Sequence, residues 1–249
     1  MTINLTISPD FSPAKIPSWH IFNTWLQRST GESIHLILFD SFAQQRQAIA
    51  EDKIDLIYAN PYDAAMLVRE KGFVALAHPG GLTDEAIVVV AANSPVQGVE
   101  DLLPGIRVAS TADPDVNMMG MIMLEPADLC QNNVQSETCT SYTLVAKQLL
   151  SGNADVGILP ARAFDGLSAM VKNSLRPLVR SEISVVRHML LIGPKAMASL
   201  ASLREAILGM DKDEKGAVIL NDLGFAAWEA SSQEDVEFMI DLVDTLVDQ

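Results

Sequence analysis

Cysteine is nearly absent: Cys130 and Cys139 are the two in 249 residues. That excludes a disulfide-stapled scaffold and a cysteine-rich metal centre, which need several cysteines at short spacings. The pair flanks the polar stretch QNNVQSET. Two readings stay open: a disulfide closing a loop that cannot pack on its own, worth roughly 2–3 kcal/mol in an oxidising compartment, or two unrelated free thiols. Positive charge is scarce as well, with 17 Lys and Arg against 32 Asp and Glu, a net charge of −15. A nucleic-acid binder needs a basic face to displace counterions, so that class is excluded. A small anion is not, because a few backbone N–H groups and one arginine can dominate a small site. There is no long apolar run, hence no membrane span and no membrane-embedded chain.

Catalytic signatures are missing too. The sequence has no G-x-S-x-G elbow, no G-x-x-x-x-G-K-[ST] loop, no H-E-x-x-H and no G-x-G-x-x-G. The histidines His20, His35, His78 and His188 are scattered and suggest no Ser-His-Asp order. No cofactor and no metal site is expected. The first residues, MTINLTI, read as a strand in which Ile3, Leu5 and Ile7 alternate with polar residues, and no secretion signal is visible. The chain is then either cytoplasmic or an exported protein whose leader was removed.

What is present is regular alternation. INLTISP, SIHLILFDS, IDLIYANP and FVALAHPGG read as strands, separated by helices in KIPSWHIFNTWLQRSTG (closed by Gly31), FAQQRQAIAEDK and YDAAMLVREKG. This order predicts a parallel sheet with right-handed crossovers. EAIVVVAANS and IRVAST follow as strands, then a helix from about Met118, the cysteine loop, the helix TSYTLVAKQLLSGN and the buried strand of ADVGILPARAFDGL. LRPLVRS and VVRHMLLIGP read as strands, and KAMASLASLREAILGM, DEKGAVILNDLG and SQEDVEFMIDLVDTLVDQ as helices. The length suits one large domain or two ordinary ones.

Four segments together carry a resemblance. They are DKIDLIYANPYDAAML, SPVQGVEDLLPGIRVASTADPD, VAKQLLSGNADVGILPARAFD and the C-terminal stretch from Leu203 through LREAILGMDKDEKGAVILNDLG onward. In this order they resemble the phosphonate/phosphate-type solute-binding proteins of ABC importers. The resemblance implies an α/β periplasmic-binding-protein fold of type II, with two α/β lobes and a ligand cleft between them. Lobe one would be 1–83 plus 186–249 and lobe two 84–185, with crossings near HPGGLTDEA and RSEISVV. Ligand would sit at the C-terminal ends of strands, as in open α/β sheets generally.

The resemblance also places residues in the site. After the first strand comes Asp10, whose plain alternative is a turn residue; after the second comes Phe42, alternatively a lobe-packing ring. Asn60 and Tyr62 stand where the family's first lobe donates hydrogen bonds to ligand oxygens. In the second lobe the family pattern is roughly D-P-x-S-T-S-G, where hydroxyls and helix N–H groups hold the phosphonate. Here Thr111, Asp113 and Pro114 are followed by Val116, Asn117 and Met118, with Gly120 displaced by one position. Tyr142 takes a place where the family can carry a histidine, and Arg162 one where aminophosphonate binders use a carboxylate. An arginine favours a carboxylate or other planar oxyanion; its plain alternative is a solvated helix start. His188 reads as a packed strand residue. Met118, Met119, Met121 and Met123 leave open a soft copper site, an adaptable apolar wall or plain core.

The resemblance therefore implies a solute-binding component of an ABC importer, periplasmic, that captures a small organic anion and is not a tight phosphonate binder. Its partners would be that ligand and an importer permease. The alternatives are a cytoplasmic sensor or carrier of the same fold without a transporter, and an enzyme on this fold, for which His78 is the one candidate group.

Overall fold

The protein is described by a computed structural model over residues 2–232 and 235–241. The described chain forms two compact units: one runs to Thr83 and resumes at Arg187, and the other is Asp84–Val186.

The first unit holds the strands β1 (Thr2–Ile7), β2 (Ser33–Ile37), β3 (Leu56–Ala59) and β4 (Val74–Pro79), alternating with helices α1 (Ile16–Thr30), α2 (Phe42–Ala50) and α3 (Pro61–Lys71). The alternation read in the sequence positions β1 as expected: Ile3, Leu5 and Ile7 are all buried. Helix α1 buries Trp19, Phe22 and Leu26 along one face and ends at Gly31, whose φ of 74° accepts a left-handed turn that its N–H closes onto the Gln27 carbonyl. Trp19, Phe22, Tyr58, Phe225 and Trp228 meet ring to ring, with centroids 5.1–6.1 Å apart, and anchor this core.

The second unit contains β5 (Ala86–Ala91), β6 (Arg107–Ser110), α4 (Pro114–Leu124), β7 (Gln135–Thr138), α5 (Tyr142–Leu150), β8 (Val156–Pro160), α6 (Ala161–Asp165), α7 (Ala169–Asn173) and β9 (Leu175–Arg180). Its sheet order is β7-β6-β8-β5-β9. Along β5, Ala86, Val88 and Val90 enter one core while Ile87 and Val89 enter another, so this sheet is covered on both faces. The chain then returns to the first unit with β10 (Met189–Ile192), α8 (Leu200–Leu208), α9 (Glu214–Leu223) and β11 (Trp228–Ala230), and a helical segment over 235–241.

Several expectations are corrected. The first sheet is mixed, not parallel: its order is β11-β4-β10-β3-β1-β2, with β1 parallel to β2 and β3 but β10 inserted antiparallel between β3 and β4. The polar stretch between the cysteines contains the edge strand β7, whose side chains are mostly exposed, which is why it shows no apolar alternation. Both cysteines are free, Cys130 exposed and Cys139 buried. The loop is closed instead by Asn133, which accepts from the Cys130 N–H at 2.8 Å and donates to the Asp128 carbonyl at 2.8 Å. Helix α4 starts at Pro114 rather than near Met118. A third strand of the C-terminal segment, β11, stands where only helix is expected. Of SQEDVEFMIDLVDTLVDQ, residues 233, 234 and 242–249 lie outside the described residues.

Three of the methionines pack in the second unit's core. Met119 is 1% exposed in the second unit's core, and Met121 and Met123 pack against it. Gly120 explains itself here: a Cβ on it would lie 2.4 Å from Ile158 Cγ2, so glycine is what lets α4 approach β8 so closely.

Candidate ligand-binding site

Parallel strands present their C-terminal ends along one edge of a sheet, and an antiparallel neighbour contributes its N-terminal end to the same edge. In the first unit that edge gathers the loops after β1, β2 and β3, the start of β10 and the end of β4. In the second it gathers the loops after β6, β7 and β8 and the start of β5. All the sequence-predicted site residues lie on these two loop sets.

In the first unit Asp10 is more than a turn residue. Its Oδ2 lies 2.8 Å from His188 Nε2, both side chains are about nine-tenths or more buried at 5% and 6% exposure, and the imidazole stacks on Tyr58 with centroids 5.2 Å apart. Asn60 caps α3: its Oδ1 accepts the Asp63 N–H at 2.8 Å, while its Nδ2 donates to Asp63 Oδ2 at 2.8 Å and Ser8 Oγ at 3.2 Å. The residue is 0% exposed. Both amide hydrogens are thus engaged within the unit, and Asn60 caps α3. Phe42 opens α2 and Tyr62 lies in the first turn of α3. Their rings come together on Arg46, whose Cζ is 5.7 Å from the Phe42 centroid and 5.2 Å from that of Tyr62. Arg46 Nε in turn donates to Asp63 Oδ1 at 2.7 Å.

In the second unit the family's anion cradle corresponds to the start of α4. A helix start has unpaired N–H groups that attract anions. Here Pro114 supplies none, and the N–H groups of Asp115 and Val116 both donate to Asp113 Oδ1 at 3.2 Å. The other oxygen, Oδ2, accepts from the Tyr142 hydroxyl at 2.8 Å, and Asp113 is buried. Asn117 Nδ2 donates to the Thr111 carbonyl at 2.7 Å, and the Thr111 hydroxyl accepts from the Asp113 N–H at 3.4 Å. Thr111, Asp113, Asn117 and Tyr142 therefore form one connected knot, beside which Met118 is half-buried. Arg162, in the first turn of α6, is 60% exposed and pairs with Asp84 at 3.7 Å.

His78, near the end of β4, is buried with its Nε2 2.8 Å from Arg187 Nη1, its Nδ1 3.1 Å from Ser231 Oγ and the Glu229 carboxylate 3.5 Å away. Burial, and then the Arg187 charge, hold its pKa below the usual histidine value. The unfolded chain consequently binds a proton more readily than the folded one. The stability His78 permits is intact above about pH 6.5 and declines as pH falls from there toward the lowered folded value. A His78→Gln variant should show a flatter stability–pH curve below pH 6.5 than wild type in urea titrations; parallel curves would refute this.

The chain matches, over residues 5–236, the family described as ABC transporter, phosphonate, periplasmic substrate-binding protein. It belongs to this family. Among solved structures it superimposes on PhnD1 from Prochlorococcus marinus (MIT 9301), solved in complex with methylphosphonate, with a TM-score of 0.82, 12% identity and coverage of 99% of this chain and 98% of that one. It likewise matches XAC2383 from Xanthomonas citri, solved bound to ATP, at TM-score 0.80 and 16% identity over 99% and 98%. The periplasmic aliphatic sulphonate binding protein SsuA from Escherichia coli matches at TM-score 0.65 and 15% identity, over 99% and 87%. At such identities the likeness shows the fold, which is that of type II periplasmic binding proteins. No curated protein matches the sequence. No helix among the described residues is long and apolar enough to cross a membrane.

Within this phosphonate-binding family, the loops of the present chain were legible from sequence, but three of their partners were not. Arg46 lies one helical turn from Phe42, an i, i+4 spacing that could have drawn it in. His188 carries only a packing signal in the sequence, since its pairing with Asp10 spans 178 positions. Glu85 accepts from the N–H groups of Ile183 at 3.1 Å and Ser184 at 2.7 Å and from the Ser181 hydroxyl, tying down a segment in which Ser184 adopts a φ of 61°.

Proposed function

We propose that this phosphonate-binding-family chain is the solute-capturing component of an ABC importer, acting in the periplasm with its two units as the two lobes and delivering to a membrane permease. Its solute is a small organic anion, and a phosphonate is not held tightly. One observation carries this reading: the carboxylate of Asp113 already occupies the first-turn amides of α4 and the Tyr142 hydroxyl. A phosphonate would have to displace it, and Val116, Asn117 and Met118 bring no hydroxyls to replace what is lost. Each missing charge-assisted contact costs roughly 1.5–3 kcal/mol, and the acidic side chains of Asp113 and Asp115 oppose a dianion. The methylphosphonate carried by PhnD1 is therefore a poor guide to this solute. Arg162, exposed and 3.7 Å from Asp84, is a cation on the second unit's loop edge. The absence of a nucleophile–base pattern in the sequence favours capture over chemistry.

Native mass spectrometry of protein purified without added solutes tests the reading by identifying what co-purifies. A thermal-shift panel of phosphonates, phosphate, dicarboxylates and sulfonates extends it, since a ligand at 100 times its Kd adds about 2.7 kcal/mol. Arg162→Ala should abolish that shift. It should leave the unliganded melting point nearly unchanged, because an exposed ion pair contributes at most about 1 kcal/mol. A full ligand response in the variant would remove Arg162 from the site.

A further inference from the structure

The first unit holds an arginine whose role follows if the solute-capture reading holds. Arg46 is 36% exposed, and its Nε is committed to the wholly buried Asp63. A side-on arginine–carboxylate pair would ordinarily use Nε and one terminal nitrogen against both carboxylate oxygens. Here the second oxygen of Asp63 is diverted to the Asn60 amide at 2.8 Å. The guanidinium is thereby left with Nη2 buried and without a hydrogen-bond partner among the described residues. A buried charged donor without an acceptor is costly, and a shift of the partly exposed Arg46 side chain would let a solute oxygen satisfy it.

The surroundings say what. Asp63 fixes the guanidinium in place, and the rings of Phe42 and Tyr62 flank its Cζ at 5.7 and 5.2 Å. All three of these contacts come from the first turns of α2 and α3, at the sheet edge where the loops gather. A guanidinium held through Nε presents its terminal nitrogens as an in-plane fork that matches two coplanar oxygens. Aromatic rings beside it lower the local polarity and accept an apolar or flat body. We infer that Arg46, held by Asp63 and flanked by Phe42 and Tyr62, is an oxyanion-recognition residue that takes the carboxylate or sulfonate head of a solute with an apolar body. Arg46 carries the specificity of the first unit, as a direct contact to the solute. Phe42 and Tyr62 then act on the body next to the head group.

The test is calorimetric titration of the full chain with sodium benzoate, methanesulfonate and succinate, alongside uncharged benzamide and cationic putrescine. Removing Arg46 alone strips the partner from buried Asp63 and risks the fold. Arg46→Lys, which keeps the charge, and the double variant Arg46→Gln with Asp63→Asn, which removes both charges together, are therefore used, each checked for an intact melting transition. Wild type should bind at least one of the three anions. Arg46→Lys should weaken it about 10- to 100-fold by losing the fork, and the double variant should abolish it. Anion binding undiminished in both variants overturns the role of Arg46 and leaves the solute-capture reading standing. Binding only of benzamide or putrescine overturns the oxyanion assignment in the same way. A wild-type chain that binds none of the five, and carries nothing by native mass spectrometry, overturns the proposed function itself.

Discussion

Replacing Asp63 by alanine should destabilise the first unit by about 3 kcal/mol. Its carboxylate is 0% exposed and joins two helices: one oxygen accepts from Arg46 Nε, one turn into α2, the other from the Asn60 amide that caps α3. Alanine leaves Arg46 Nε without its acceptor and the buried Asn60 amide with only Ser8 Oγ, and unsatisfied buried donors cost more than the bond itself contributes. The three tryptophans, Trp19, Trp25 and Trp228, all lie in the first unit, so tryptophan fluorescence in urea reports this loss selectively. A lower midpoint with an unchanged slope is the expected result. A midpoint within experimental error of wild type would show that Asp63 does not hold the two helix starts together.

Asp113→Ala should act with similar force in the other unit, by about 2–3 kcal/mol. Loss of a capping carboxylate costs about 1 kcal/mol, and the half-buried Tyr142 hydroxyl loses its acceptor at the same time. Because the second unit contains no tryptophan, fluorescence should stay near the wild-type midpoint while far-ultraviolet circular dichroism, which sees both units, moves to lower urea and separates from it. Two probes that remain superimposed would mean either that the units unfold together or that the cap contributes nothing. Asp113→Asn, which keeps an acceptor for the amides, distinguishes these by recovering most of the loss only if the cap matters.

Much of the frame could be read from the sequence because local signals and tertiary demands agree there. Ile3, Leu5 and Ile7 alternate and are buried together; α1 is amphipathic and stops at a glycine with φ of 74°. The misreadings share a cause. β10 finds its place through pairing with strands more than a hundred positions earlier, which no local pattern encodes. β7 sits at a sheet edge with its side chains in water, so polarity mimics a loop. For α4, the Asp113-Pro114 pair is a strong start signal, while the apolar run that suggests the helix begins later, at the methionines. The site divides in the same way. Loop positions follow from strand ends, whereas the engagement of Asn60, the pairing of Asp10 with His188 and the placing of Arg46 beside Tyr62 depend on side chains brought together only by the finished fold.

The insertion of β10 has a consequence for biosynthesis. A nascent chain that has delivered β1 through β4 carries two strands, β3 and β4, whose facing edges have no neighbour, since the strand that fills the gap arrives only with Met189–Ile192. Asp84–Val186 holds its own sheet and core and has all its strands once Arg180 is made. The later-numbered half can therefore mature on the ribosome before the half that was translated first. Until the last quarter of the chain emerges, the early strands present open backbone to any other strand nearby, the interval in which chaperone protection matters most.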